Sequence, residues 1–237
     1  NWKPYICWLF FSMKKRILLL IFIGISGFSL GQEFEAGIFI GGSNYVGDIG
    51  RTNDVYPNNI AGAFFFKYNW NPRIAVRATY SYLPIKGNDL DANTNFRNDR
   101  GLSFSNTINE LAIGIEYNFY EYDISSVDKT WTPYILLELA AFSYNTVVSE
   151  PRPNEYEYSA KYSASVPFGV GLKSKLIGPL AVSLETKFRY TFEDDLDYTT
   201  STIPSLGFGG NGRDWYMFTG VSLIYTFGRP ACYAKGL

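Results

Sequence analysis

The sequence has no histidine and only two cysteines, Cys7 and Cys232, in 237 residues. Lack of His removes His-dependent acid–base catalysis and most zinc sites. Cys7 lies in a segment expected to be lost on export, and a lone remaining Cys forms no disulfide framework. Beyond residue 33, no apolar run approaches the roughly 18 residues that mark a membrane-spanning helix. A basic surplus is also missing. Four of the 21 Lys and Arg residues (Lys3, Lys14, Lys15 and Arg16) precede residue 32, whereas all 22 Asp and Glu residues follow it. The remainder is acidic, which argues against a nucleic-acid partner.

Aromatic residues are plentiful at 18%, with 19 Tyr and 19 Phe. Side chains with an apolar body and a polar tip suit half-wet surfaces, membrane interfaces among them. Near the start, Met13 is followed by Lys14-Lys15-Arg16, the apolar run Ile17 to Ile25, and Ser29-Leu30-Gly31. This is the order of a secretory signal, with cleavage expected after Gly31. The run is too short for a spanning helix, and Gly31 in place of Cys gives no lipoprotein anchor. We therefore divide the chain into residues 1–12 as translated upstream sequence, 13–31 as signal peptide, 32–228 as a barrel and 229–237 as a short tail.

From residue 33 onward, apolar and polar or small residues alternate in eight runs of about ten residues, the period of strands. The runs are 34–43, 59–70, 73–83, 107–119, 131–143, 160–175, 180–191 and 214–227. One face of each is apolar, as with Leu111, Ile113, Ile115 and Tyr117. The opposite faces carry Lys67, Arg73, Arg77, Glu110, Glu116, Glu138, Lys173, Glu185, Lys187 and Arg189. Alternation alone fits a soluble sandwich or a membrane barrel. The export signal and the aromatics at strand ends favour the barrel, in which lipid takes the apolar face and the charges pair in the lumen.

Trp70, Tyr117, Phe119, Trp131, Tyr225 and Phe227 would form the inner aromatic belt, and Tyr80, Tyr82, Tyr190 and Trp215 the outer one. Inner links at 71–72 and 177–179 are short, with a longer one near 120–130. Outer links at 44–58, 84–106, 144–159 and 192–213 are long, the asymmetry of outer-membrane barrels. The expected fold is all-β, an eight-stranded antiparallel transmembrane barrel of the outer-membrane type. Eight strands leave a lumen filled by side chains, so the ten charges read as a structural ion-pair plug.

Three motifs have plain structural readings. Gly41-Gly42-Ser43-Asn44-Tyr45-Val46-Gly47-Asp48 reads as a bulge and turn, because no Lys-Ser/Thr or helix follows to make a phosphate loop. Asp89-Leu-Asp91-Ala-Asn93-Thr-Asn95 has the early rhythm of a calcium loop but carries Thr94 and Arg100 where Gly and an acid are needed. Residues 193–197 form an acidic cluster on an outer loop that reads as solvated charge, with a basic partner or a cation as the alternatives. No metal or cofactor is expected. A lipid-modifying enzyme at the barrel rim would need a nucleophile and a base, and no spacing of Ser and Asp stands out without a His.

The 41–48 run, with Gly41, Gly42, Asn44, Tyr45, Gly47 and Asp48, resembles the first-loop signature of PorG-like barrels, outer-membrane components of the type IX secretion system of Bacteroidota. The resemblance extends to Arg97-Asn98 and Leu102-Ser103-Phe104, here separated by Asp99-Arg100-Gly101, and to Thr132-Pro133-Tyr134 and residues 167–173. It implies a non-enzymatic barrel in outer-membrane lipid, anchoring a periplasmic ring of the PorK–PorN type. The alternative from the residues alone is a stand-alone surface barrel for adhesion or envelope stability.

Overall fold

The computed structural model describes residues 33–51, 56–123, 130–153, 155–200, 203–207 and 212–228. The proposed signal peptide, upstream segment and tail lie outside these residues. Eight strands follow one another around a ring: β1 (Glu33–Val46), β2 (Asn59–Asn71), β3 (Ile74–Asn88), β4 (Ser103–Asn118), β5 (Trp131–Arg152), β6 (Glu155–Ile177), β7 (Leu180–Thr191) and β8 (Trp215–Gly228). Every neighbour is antiparallel, and β8 closes onto β1 from Glu33↔Gly228 to Val46↔Trp215. Closure pairs the backbone groups that an open sheet edge would leave without partners in lipid.

The side-chain period of two puts alternate residues outside. Ile38, Ile40, Phe64, Leu111, Ile113, Ile115, Leu137, Leu139, Val170, Leu184, Val221 and Leu223 are exposed around the wall. Their buried neighbours in sequence include Glu35, Lys67, Arg77, Glu116, Glu138, Lys173 and Glu185. An exposed apolar wall around a charged interior is stable only in lipid. This is an outer-membrane β-barrel, and no described helix is long and apolar enough to cross a membrane. Short turns mark its periplasmic end and long connections its outer end.

The short inner turns follow from local chemistry. The Asn71 side chain accepts from the N–H groups of Arg73 and Ile74, both at 2.8 Å, which folds the chain through Pro72 into β3. Gly178 turns β6 into β7 at φ +56°, in the left-handed region. The longer inner link sends Tyr122 back under the barrel. Its N–H reaches the Pro72 carbonyl at 3.1 Å, and its ring lies 4.4 Å from Lys173 Nζ.

Two expectations are corrected. The stretch 144–159 is not a loop: β5 and β6 remain paired from Tyr144↔Lys161 to Arg152↔Glu155, with register shifts near Ser149. Both faces there leave the lipid, so apolar alternation stops although the hydrogen-bond ladder continues. The β3–β4 hairpin likewise stays paired to Asn88↔Ser103. The second correction concerns Arg73. Its parity is that of the inward residues, but it lies in the turn below the end of β3. Its guanidinium donates to the Phe119 carbonyl at 2.7 Å and meets Glu121 at 3.4 Å in the open.

Candidate functional site

The interior is built in two levels. The lower one holds nine of the ten charges expected in the lumen, all fully buried, together with Glu35, which the sequence reading missed. Glu116 is the hub. Its two oxygens lie 2.6 Å from Lys67 Nζ and 2.7 Å from Lys173 Nζ, with Arg77 at 3.6 Å. Arg77 donates to both oxygens of Glu185, at 2.6 and 3.3 Å, and the Tyr134 hydroxyl donates to the same carboxylate at 2.6 Å. Glu138 receives Lys187 at 2.7 Å and the Thr79 hydroxyl at 2.8 Å. Glu110 receives Arg189 at 3.1 Å and the Tyr216 hydroxyl at 2.7 Å. Glu35 stands 3.5 Å from Lys67. Its signal in the sequence was present, since it lies between Phe34 and Ala36 and shares its parity with Glu33 at the start of β1.

Five buried carboxylates face five buried cations, so the level is neutral by formal charge. Removing ions from water is costly and is offset only by close pairing with further hydrogen bonds, which Tyr134, Tyr216 and Thr79 provide for Glu185, Glu110 and Glu138. The small residues in the wall make room for these groups. A Cβ on Gly171 would sit 2.4 Å from the Tyr134 ring.

The upper level is apolar, contrary to a purely charged lumen. Phe39 and Phe218 meet at 4.1 Å between ring centres, and Phe142 packs between Tyr144 and Tyr216. Leu83, Ile85 and Ile108 complete this core.

Above it, three outer connections converge on Tyr45. The Tyr45 hydroxyl touches Asp214 at 2.5 Å and Asp197 at 2.9 Å and accepts from the Asp48 N–H at 3.2 Å. Only Gly fits at position 47, where a Cβ would lie 2.0 Å from that hydroxyl. Gly41 has a different constraint, with a Cβ falling 2.1 Å from the Thr219 carbonyl across the ladder. Gly42 backs against Pro57, while Asn44 points inward to the Met217 sulfur at 3.8 Å.

The short helix α1 (Asn95–Arg100) brings in Arg97 and Asn98, the second stretch singled out in the sequence. Arg97 donates to the carbonyls of Gly50 and Gly47 at 2.6 and 3.0 Å, clamping the first connection to the second. With its amide oriented to satisfy both groups, Asn98 donates to the Asp89 carbonyl at 2.7 Å. Asp99 and Arg100 end α1 and Gly101 caps it. Gly101 takes a left-handed φ of +65°, and Arg100 binds Asp89 at 2.7 Å. Leu102 packs against the core, Ser103 begins β4, and Phe104 stacks edge-on against Tyr45 at 4.8 Å. Tyr198, at φ +71°, packs between Phe104 and Tyr158 and donates to the Ser105 carbonyl at 2.8 Å. The motif residues therefore build a cap.

Electrostatics differ across this cap. Burial opposes ionisation of Asp89, but Arg100 and the N–H groups of Gly50 and Leu102 hold its carboxyl below the usual range. Burial and then Asp197 push Asp214 up to about 8. Asp194 rises to about 6 through burial and the nearby Asp48, and Asp197 also rises, chiefly through burial. A carboxyl that keeps its proton can donate, so both acids can engage the single Tyr45 hydroxyl. The Asp89 carboxylate is consumed by this bonding and Asp91 is exposed, so the calcium-like rhythm encloses no cage. Among the described residues, no three acidic, Cys or His side chains are placed to hold a metal.

A family profile described as a domain of unknown function, DUF6089, matches residues 14–236. The chain belongs to the DUF6089 family. Among solved structures, this DUF6089 barrel is similar to Ail of Yersinia pestis, with 11% identity, a TM-score of 0.47, and coverage of 84% of this chain and 100% of the other. The N-terminal barrel domain of Pseudomonas aeruginosa OprF aligns with 11% identity and a TM-score of 0.43 over 83% and 98% of the two chains. A major outer membrane protein of Thermus thermophilus aligns with 14% identity and a TM-score of 0.46 over 83% and 99%. No curated protein matches the sequence. The assignment of this DUF6089 chain as a barrel rests on its own closed ring of strands.

Proposed function

We propose that this barrel is a non-enzymatic structural component of the type IX secretion machinery, holding a periplasmic ring complex of the PorK–PorN type at the outer membrane. The observation that carries the non-enzymatic part is the filled interior. Nine of the ten predicted lumen charges are committed to one another or to Tyr and Thr hydroxyls, so they offer no substrate path. A sealed barrel acts through its rims. The ring partner is the implication of the resemblance carried by residues 41–48 and 97–104. The inner rim available to it is the link around Tyr120 and the tail after Phe227, most of which lies outside the described residues. In this reading residues 13–31 are removed, residues 32–228 form the mature barrel and residues 1–12 play no part. N-terminal sequencing of the mature protein should begin at Gln32.

The test is a mild-detergent pull-down of the tagged mature barrel from its native outer membrane. Recovery of a periplasmic ring lipoprotein with its partner supports the proposal. Recovery of the barrel alone, from cells that secrete normally without it, refutes it. A second reading, a stand-alone surface barrel, is favoured by one feature. The β5–β6 hairpin projects past its neighbours and exposes Tyr158 and Tyr162. Shortening that hairpin should leave secretion intact under the first reading and abolish surface attachment under the second.

A further inference from the structure

The outward face of β3 carries Tyr80 and Tyr82 in the outer belt, then Pro84 and Lys86. Lys86 lies about 13 Å further along the strand than Tyr82. With an ordinary barrel tilt, this is about 10 Å higher, at the depth of lipid headgroups. There a crevice is lined by Arg51, Tyr56, Asn58, Lys86, Asn88 and Asp91 among others, with room for one water-sized group, about 20 Å³. The Arg51 guanidinium is stacked over the Tyr56 ring at 4.1 Å, and its Nε is buried with no hydrogen-bond partner. The Asn58 amide donates to the Lys86 carbonyl at 3.3 Å, which joins the two sides.

Most other bases of the outer end are engaged. Lys161 binds Glu193 and Asp195, Arg152 binds Glu155, and Arg97 and Arg100 clamp the cap. Among the described residues, Arg51 and Lys86 have no acidic partner within ion-pairing distance. The crevice is too small for a whole ligand, so it suits an oxygen or two of an anion whose remainder lies outside. A planar fork, an ammonium and amide donors together fit a phosphate monoester.

We propose that Arg51 and Lys86 bind the phosphate monoester of an outer-leaflet lipid headgroup, so that the barrel holds a specific anionic lipid beside its cap. Lipid is the source because Lys86 faces out from the wall directly above the aromatic belt. The proposal needs the outer-membrane placement but not the secretion role. Asp91 opposes the phosphate from the crevice edge, so the lining carries a net charge of one positive unit.

The test uses the refolded full barrel in neutral-detergent micelles, titrated with bisphosphorylated lipid A and read by native mass spectrometry. Arg51→Gln and Lys86→Gln should each weaken binding about fivefold, and the double variant about 25-fold. Asp91→Asn should tighten it, a gain that a merely structural role would not give. Arg152→Gln, which removes a base on the β5–β6 hairpin, should change nothing. Heat-modifiable gel mobility checks that each variant is folded, and Lys86 is exposed enough to be replaced without disturbing the core. Equal binding of dephosphorylated lipid A overturns the proposal. So does displacement by inorganic phosphate at concentrations matching the lipid, which would assign the crevice to a soluble anion.

Discussion

The lumen floor and the outer cap both bury carboxylates, but they neutralise them differently. In the floor each acid meets a base, and five Glu stand against five Lys and Arg. In the cap, Asp197 and Asp214 share the Tyr45 hydroxyl and Asp194 lies near Asp48 and Asp197, and proton retention takes the place of a close counter-ion. The difference is one of access. The floor is enclosed by the barrel wall, where an unpaired ion would have no alternative solvation. The cap borders water, so its acids can exchange protons with the medium and the loops can open locally without unfolding the barrel.

The largest effect should come from breaking the floor at its hub. Glu116→Gln leaves Lys67 and Lys173 without their closest counter-ion and should cost about 3–5 kcal/mol. Guanidinium unfolding in micelles measures this loss, and an unchanged midpoint would mean the pairs carry no structural weight. In the cap, Tyr45→Phe should cost about 1–3 kcal/mol as two buried acids lose their shared hydroxyl. The loss should be local, with faster proteolysis of residues 192–214 and an unaltered global midpoint. A shift of the whole transition would make cap and barrel one cooperative unit.

The pH response should have opposite signs within the cap. Asp214 binds its proton more tightly in the folded state. Its contribution is therefore full below the ordinary carboxyl range and is lost as pH rises towards about 8. Asp89, held low, contributes above the ordinary range and loses its contribution on acidification. Hydrogen exchange should then show the 192–214 connection loosening with rising pH and the 89–102 connection loosening in acid. Asp214→Asn should flatten the first response and leave the second. The smallest effect belongs to Arg73. Its exposed pair with Glu121 sits outside both regions, and Arg73→Ala should shift stability by less than about 0.5 kcal/mol.

Much of the wall was legible in the sequence. The run 180–191 coincides with β7, and the runs beginning at 59 and 131 start where β2 and β5 start. Strand ends were legible only where lipid imposes alternation. Past the outer belt, β5 and β6 continue with polar and apolar residues mixed on both faces, and no regular alternation in 144–159 announces it. The charges were legible as a set but not as partners. Arg77 binds Glu185, 108 residues away, and Arg189 binds Glu110 across 79. The glycine-rich motif was legible as a turn but not as the support of Tyr45, whose partners Asp197 and Asp214 come from the far end of the chain.

What the order of residues specifies here is parity: a period of two decides which side chains meet lipid and which turn inward, because each Cβ direction follows from its own backbone. Arg73 shows where that rule ends, since the right parity below the last rung leaves a side chain in water. Only closure of eight tilted strands decides which inward groups share a level. The stagger between strands, not the distance in sequence, brings Glu116 to Lys67 and Lys173 and lifts three separate connections onto one tyrosine.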